Sequence, residues 1–334
     1  MKFYLKLILS IALLFFAAMS FIFIYEVTCK DHDDDDYYDF SLNDTSSITK
    51  ILIWDKSPDT VFLSRQKNNQ WIVNNSFKAR PDAIEVLLET IYRIRLRNFP
   101  QKSALPRILK TMATYGKHVD LYIDNKIVKS FTVGTETPDQ LGTYMLMDDF
   151  ETPVATHIPG FNGYLSSRFF IREDLWRKRE IWPYEKEIIS VEVSYPDSTS
   201  FKLIKENNQF SLIGPSGINL SADDMSSQAF LKGIRKAQYE GMIIPTDKAW
   251  DKSDSIQLTP PVGIFKVTYI DGNIIEMKIH RVPGGPDWLD SEGRPQRYDP
   301  DRYYAFISDG RFVLTQRFGL QHVLKSYRAF LTFE

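Results

Sequence analysis

The stretch Lys67-Asn-Asn-Gln-Trp-Ile-Val73 has a counterpart later in the chain, Glu206-Asn-Asn-Gln-Phe-Ser-Leu212. In each copy a pair of Asn residues, which favour turns, follows one β-rich run and begins the next. The runs before the first copy are residues 49–54 and 60–65, and those before the second are residues 188–193 and 201–205. The shared order of two strands, a turn and a third strand predicts one unit that occurs twice.

Helix signals follow both copies. Pro81 lies at a position where its missing N–H costs least, and it predicts a helix over 81–95. Ser221 with Asp224 resembles a capping box and predicts the equivalent helix in the second copy. In the first copy a further helix should run from about Ser103 to Gly116, where glycine can adopt a left-handed cap.

Hairpin turns support the same duplication. Asp124-Asn125 separates strands 119–123 and 127–133, and Asp271-Gly272-Asn273 separates strands 265–270 and 274–280. The order contains too few helices for parallel crossovers, which place a helix between paired strands. We therefore predict an α+β protein with two similar tandem subdomains of antiparallel sheet and packed helices, after an N-terminal transmembrane helix. The predicted segments are an anchor or signal at 1–25, an acidic linker at 26–48, a first repeat at 49–180 and a second at 186–334.

The amino terminus predicts the compartment. Residues 7–25 carry no charge, and at 1.5 Å per residue they would extend about 28 Å, close to the hydrocarbon thickness of a bilayer. Lys2 and Lys6 precede this stretch and an Asp run at 33–36 follows it, so the amino terminus should face the cytosol. We expect a single-pass inner-membrane protein with its C-terminal bulk in the periplasm.

Cys29 leaves an alternative open. The sequence Cys29-Lys-Asp-His-Asp-Asp-Asp-Asp36 resembles the acidic segment that follows the lipidated cysteine of many surface lipoproteins. However, Glu26 and Thr28 stand where such signals usually carry Leu and a small residue. A lipid anchor at Cys29, at the envelope or the cell surface, and simple cleavage of the signal stay as alternatives to the retained span.

Composition and motifs argue against several classes of function. The net charge is -2 with one cysteine in the chain, so neither nucleic-acid binding nor a thiolate metal site is predicted. No Gly-x-x-x-x-Gly-Lys loop and no Gly-x-Ser-x-Gly elbow occurs. The histidines lie singly and none pairs at helical ligand spacing; they are His32, His118, His157, His280 and His322. We predict no catalytic residue, metal or cofactor.

Two segments are candidates for binding. Between Gly160 and Arg172, aromatic residues alternate with arginine, the mixture found in interface hot spots, although a short helix that packs its aromatic residues on the first sheet is the favoured explanation. The candidate interaction residues there are Phe161, Tyr164, Arg168, Phe170 and Arg172. The second segment is the 283–301 loop, whose carboxylates suit calcium or acid–base chemistry but lack EF-hand spacing. Its candidates are Asp287, Asp290, Glu292, Asp299 and Asp301.

Several short motifs carry a family resemblance. They are Trp71 after Asn-Asn-Gln, Thr132-Val-Gly134, Gly142-Thr-Tyr-Met-Leu146, His157-Ile-Pro-Gly-Phe161 and Asp174-Leu-Trp-Arg177. In this order they resemble the bacterial domain-of-unknown-function 4340 family in its Bacteroidetes form, from about residue 49 to 245 and more weakly to the end. The resemblance implies an anchored envelope protein without assigned chemistry. It also implies a non-ATPase companion of an ABC-type or gliding-related transport system.

These features together predict a non-enzymatic membrane-anchored envelope protein that presents a duplicated α+β scaffold to a protein partner. The alternative is an envelope glycan- or peptide-binding protein, or a hydrolase, that uses the carboxylates of the 283–301 loop. Tyr298, Tyr303 and Trp288 lie near those carboxylates in sequence.

Overall fold

A computed structural model describes Met19 and residues 38–207, 209–285 and 288–331. The chain divides between Arg177 and Lys178 into two units. The predicted span at 7–25, apart from Met19, lies outside the described residues, as do Cys29 and the Asp run at 33–36. In the part of the chain that is described, no helix is both long enough and apolar enough to cross a membrane.

The first unit is a nine-stranded sheet with three helices. Its strands are β1 (Lys50–Trp54), β2 (Thr60–Arg65), β3 (Trp71–Val73), β4 (Phe77–Lys78), β5 (Arg95–Asn98), β6 (Lys117–Ile123), β7 (Lys126–Glu136), β8 (Thr143–Met147) and β9 (Val154–His157). Its helices are α1 (Pro81–Arg93), α2 (Leu105–Tyr115) and α3 (Glu173–Trp176). Every strand pair is antiparallel, and the spatial order is β4-β3-β2-β1-β6-β7-β8-β9-β5.

The second unit repeats this plan. Its strands are β10 (Ile188–Ser194), β11 (Phe201–Glu206), β12 (Gln209–Ile213), β13 (Asn219–Ser221), β14 (Gly241–Met242), β15 (Gly263–Tyr269), β16 (Ile274–Pro283), β17 (Tyr298–Ile307) and β18 (Phe312–Gln316). Its helices are α4 (Asp224–Lys236), α5 (Ser253–Gln257) and α6 (Arg317–Leu320). The antiparallel order β13-β12-β11-β10-β15-β16-β17-β18-β14 matches the first sheet strand for strand, which confirms the predicted pair of similar α+β subdomains.

Short 3-10 helices complete the described structure, at Thr45–Ser47, Lys102–Ala104, Ser166–Arg168, Trp250–Lys252 and Tyr327–Phe330.

Each unit has its own hydrophobic core. Alternate residues of each strand face inward, as the period of two requires. Ile51 and Ile53 of β1 are fully buried, and the residues at the equivalent positions of β10, Val191 and Val193, are buried too. No described residue belongs to both cores. The first core begins upstream of residue 49, because Phe40 and Ile48 are buried in it.

Two helix ends differ from the sequence prediction. Gly116 follows α2 with a φ of -66°, so the left-handed cap is wrong. Close approach explains this glycine: a Cβ atom would lie 2.4 Å from the Met112 carbonyl oxygen and 2.7 Å from Thr132 Cγ2. The predicted cap at Ser221 is also wrong, because the Asp223 side chain caps α4 by accepting from Ser226 N. Ser221 instead ends the edge strand β13.

Candidate functional site

A groove of about 1220 Å³ lies in the second unit. Its walls come from the turn after β10, the segment from α5 to β15, the ends of β16 and β17 that face the 283–301 loop, and the chain from α6 onward. We call this cavity the cationic groove. The residues that line it are Tyr195, Pro196, Asp197, Thr199, Lys252, Ser255, Ile256, Thr259, Pro260, Pro261, Val262, Arg281, Pro283, Tyr298, Tyr303, Arg317, Gln321, Leu324, Lys325 and Ser326.

Positive charge dominates the lining. Among the described lining residues the cations are Lys252, Arg281, Arg317 and Lys325, and the one carboxylate is Asp197. Among the described residues, none of these four cations has a carboxylate within 4.0 Å. Asp197 is engaged locally, since it accepts from the Thr199 backbone at 3.0 Å and from the Thr199 hydroxyl. The described part of the groove therefore offers four cations that no described carboxylate neutralises.

Aromatic side chains form part of the same walls. The Arg281 guanidinium lies 5.3 Å from the ring centre of Tyr298, a cation–π distance. Tyr303 is buried, and burial raises the pKa of the Tyr195 hydroxyl well above its usual range. Tyr195 therefore stays protonated at neutral pH and keeps its capacity to donate a hydrogen bond.

The predicted acidic loop lies next to this groove, but its described carboxylates are not in the lining. Asp290 accepts from the Arg294 backbone and side chain at 2.9 and 2.8 Å. Asp299 is buried and accepts from the backbone of Asp301 and Arg302. Glu292 pairs with Arg294 at 2.8 Å, and Asp287 lies outside the described residues. These contacts organise the loop itself.

The aromatic segment at 161–172 divides into packed and exposed parts. Phe170 packs against the first core, with its ring 5.2 Å from that of Trp176. Arg168 donates to Thr90 at 2.9 Å and its guanidinium lies 4.3 Å from the Phe161 ring centre. The segment's other charge, Arg172, pairs with Asp174 at 2.7 Å. Phe161 and Tyr164 stay partly exposed at the surface, at 36% and 39%.

The first unit brings together a cluster that sequence analysis missed. On β6, His118 and Asp120 share one face, and Asp148 follows β8, two strands away in the sheet order. The Nε2 atom of His118 lies 3.3 Å from Asp120 Oδ1 and 3.3 Å from Asp148 Oδ2. Ser130 of β7 contacts all three of these atoms, at 3.0, 2.5 and 2.7 Å from Nε2, Asp120 Oδ1 and Asp148 Oδ2. We call these four residues the His118 cluster.

Neighbouring side chains hold the cluster in place. The Trp54 ring packs on the His118 ring with centres 4.1 Å apart, and Thr132 Oγ1 lies 3.3 Å from His118 Nδ1. Burial, with the Asp120 charge as a smaller cause, raises the pKa of Tyr122.

A search restricted to helical spacing misses this cluster. The visible signal is His118-x-Asp120 within a strand, where alternate residues share a face.

Comparison with models of protein families gives no match to this chain. Neither a curated protein nor a solved structure matches it. The family resemblance drawn from the motifs at Trp71 and 132–177 therefore stays a prediction.

Proposed function

We propose that this protein is a non-enzymatic, membrane-anchored envelope protein whose duplicated scaffold holds a protein partner, and that the cationic groove receives an acidic segment of that partner. The observation that supports this most directly is the charge of the groove, whose described lining has four cations and one locally engaged carboxylate. Complementary charge favours the approach of an acidic segment and selects against basic ones.

The size and chemistry of the groove favour an extended segment over a small ion. Small-molecule sites occupy about 300–1000 Å³, and this groove exceeds that range. Apolar surface from Pro260, Val262 and Leu324 lies beside the cations. Acidic and apolar side chains of one peptide can therefore be bound together.

The anchor and the compartment rest on the sequence. Residues 7–25 have the length and flanking charges of a retained span, which would hold both units outside the cytoplasm. The resemblance to the domain-of-unknown-function 4340 family adds the proposal of a partner from an ABC-type or gliding-related transport system. Cys29→Ala tests the anchor: membrane association should persist in fractionated cells, whereas release of the protein would favour the lipoprotein alternative.

A second candidate is binding of an acidic envelope glycan. The Tyr298 side chain in the groove favours it, because aromatic faces pack on sugar rings while the cations would bind carboxylates. The acid–base version of this alternative needs carboxylates that face the ligand, whereas Asp290 and Asp299 bond to Arg294 and to loop backbone.

Peptide binding to the full-length protein in detergent separates these proposals. A fluorescent Glu-rich peptide with interspersed Leu should bind, and Arg281→Glu with Arg317→Glu should weaken binding by about tenfold or more, since each reversal loses about 1 kcal/mol or less of screened attraction and adds repulsion. Lys110→Glu, on the exposed face of α2 in the first unit, reverses one positive charge just as each groove substitution does, and it should leave binding within about twofold.

The result also depends on salt and on competitor. Exposed charge contacts are screened, so affinity should fall between low and physiological ionic strength. Polygalacturonate that displaces the peptide more strongly than polyglutamate would favour the glycan candidate. Equal binding by wild type and the double variant would refute a role for the groove in either.

A further inference from the structure

We propose that the His118 cluster is a binding site for one divalent transition-metal ion of the zinc type, with His118 Nε2, Asp120 Oδ1 and Asp148 Oδ2 as ligands. This site lies in the first unit and is independent of the cationic groove. An imidazole nitrogen with two carboxylate oxygens is a ligand set that zinc accepts, whereas calcium and magnesium prefer oxygen alone.

The distances suit a tetrahedral ion. Zinc lies about 2.0–2.2 Å from nitrogen and oxygen ligands, so two ligand atoms at a tetrahedral centre are about 3.4 Å apart. His118 Nε2 lies 3.3 Å from each of the two carboxylate oxygens, and the three ligand atoms all lie within 4.8 Å of one another. Two of the three distances between ligand atoms therefore match a tetrahedral centre, and the third pair, Asp120 Oδ1 and Asp148 Oδ2, lies within 4.8 Å.

Two carboxylates of the cluster share one serine proton. The Ser130 hydroxyl lies 2.5 and 2.7 Å from Asp120 Oδ1 and Asp148 Oδ2 but has a single proton, so it can donate to only one of them. When His118 Nδ1 carries the ring proton, it can donate to the Thr132 hydroxyl 3.3 Å away, and Nε2 is then free to ligate. One cation would satisfy Nε2 and both carboxylates at the same time.

No Lys or Arg of the described residues takes that role, and His118 carries a positive charge only when its ring is protonated. Among the described residues, neither Asp120 nor Asp148 has a Lys or Arg within 4.0 Å, although the Asp120 side chain is only 9% exposed. Buried carboxylates are normally paired or coordinate a metal. An ion would supply the positive charge that the surrounding side chains do not.

The second unit shows that the fold does not require this cluster. Strand register places Ile264, Lys266 and Glu276 where the first unit has His118, Asp120 and Ser130. Ser308 takes the place of Asp148. The Ser308 N–H donates to the Glu276 carbonyl oxygen, just as the Asp148 N–H donates to the Ser130 carbonyl oxygen. Glu276, the carboxylate at the Ser130 position, pairs with Lys278 at 3.5 Å. The first unit alone has gathered ligands at these positions.

The test is zinc titration of the full-length protein, purified in detergent without a polyhistidine tag and stripped with chelator. We expect one zinc per chain by elemental analysis. Co²⁺ should give the absorption of a tetrahedral complex and quench Trp54, and the quenching should be lost in Trp54→Phe. Asp148→Asn and His118→Asn should each weaken binding about 100-fold or more. Asp149→Asn, the exposed neighbour, and His157→Asn, the histidine of β9, should bind as wild type does.

Two results would overturn the proposal. Absence of stoichiometric zinc at about 100 μM would show that His118 is held by its carboxylates without an ion. Retention of zinc by both Asp148→Asn and His118→Asn would place the ion elsewhere, for example at the His32 and Asp33–Asp36 segment. Because Asp148 is 44% exposed, Asp148→Asn should fold, and an unchanged urea midpoint for the metal-free variant checks this.

Discussion

Removal of one buried leucine should destabilise one unit and spare the other. Leu63 of β2 and Leu203 of β11 occupy equivalent positions, opposite Ile51 and Val191, and are 0% and 1% exposed. Leucine to alanine removes three buried carbons, worth about 2.4 kcal/mol of transfer free energy at about 0.8 kcal/mol each, and the residual cavity raises the loss to about 3 kcal/mol or more. Because no described residue belongs to both cores, Leu63→Ala should act on the first unit.

Hydrogen exchange by mass spectrometry resolves this effect by segment. A loss of about 3 kcal/mol corresponds to an opening constant about 100-fold larger, which accelerates exchange of the most protected amides in proportion. In Leu63→Ala the peptides of β1, β2 and β6 should exchange about 100-fold faster, while those of β10, β11 and β15 stay within about threefold of wild type. Leu203→Ala should give the reverse pattern.

An exposed leucine provides the control, since Leu258 is 88% exposed and Leu258→Ala should leave both units unchanged. Equal acceleration of both sheets by Leu63→Ala would show that the chain opens as one cooperative block. The view of each repeat as its own folding unit would then be wrong.

Three further outcomes follow from the described contacts. Gly116→Ala should cost about 1–3 kcal/mol in urea unfolding, because its Cβ would meet the Met112 carbonyl oxygen at 2.4 Å, whereas Gly241→Ala, with no heavy atom within 4 Å, should be nearly neutral. Burial lowers the pKa of His280 from 6.5, so the unfolded chain binds a proton that the folded unit does not. The free energy of unfolding of the second unit should therefore fall as pH drops from about 7 to 5, and it should fall less in His280→Leu. The Arg302 guanidinium holds the pKa of Glu240 below 4.5. The stability that the ionised Glu240 contributes is therefore complete above about pH 4.5 and is lost at lower pH, so Glu240→Gln should flatten stability curves measured between about pH 5 and 3.

The strand order was only partly accessible from the sequence. Turn residues such as Asp124 and Gly272, with φ of 54° and 83°, mark hairpins that the sequence identifies correctly. The positions of the edge strands β5 and β14 in their sheets could not be predicted. Each is short and pairs with a strand far along the chain: β5 pairs with β9 and β14 pairs with β18. Local pattern does not encode such pairing.

The candidate sites were less predictable than the fold. The groove cations Lys252, Arg281, Arg317 and Lys325 come from separate segments, so no local motif joins them. The His118 cluster needs the register of β6 against β7, which places Asp120 opposite Ser130. Sequence alone shows only the alternation of residues within one strand.

A comparison of the two units explains why packing and function have different degrees of predictability. Inward positions are apolar in both copies: Ile51, Leu63 and Phe131 in the first correspond to Val191, Leu203 and Met277 in the second. Outward positions of the same strands differ in chemistry, as His118 and Ile264 do. The core constrains every second residue and the alternate residues are free to change. A duplicated sheet can therefore keep one fold while one copy gathers a His and two Asp side chains and the other forms a cationic groove.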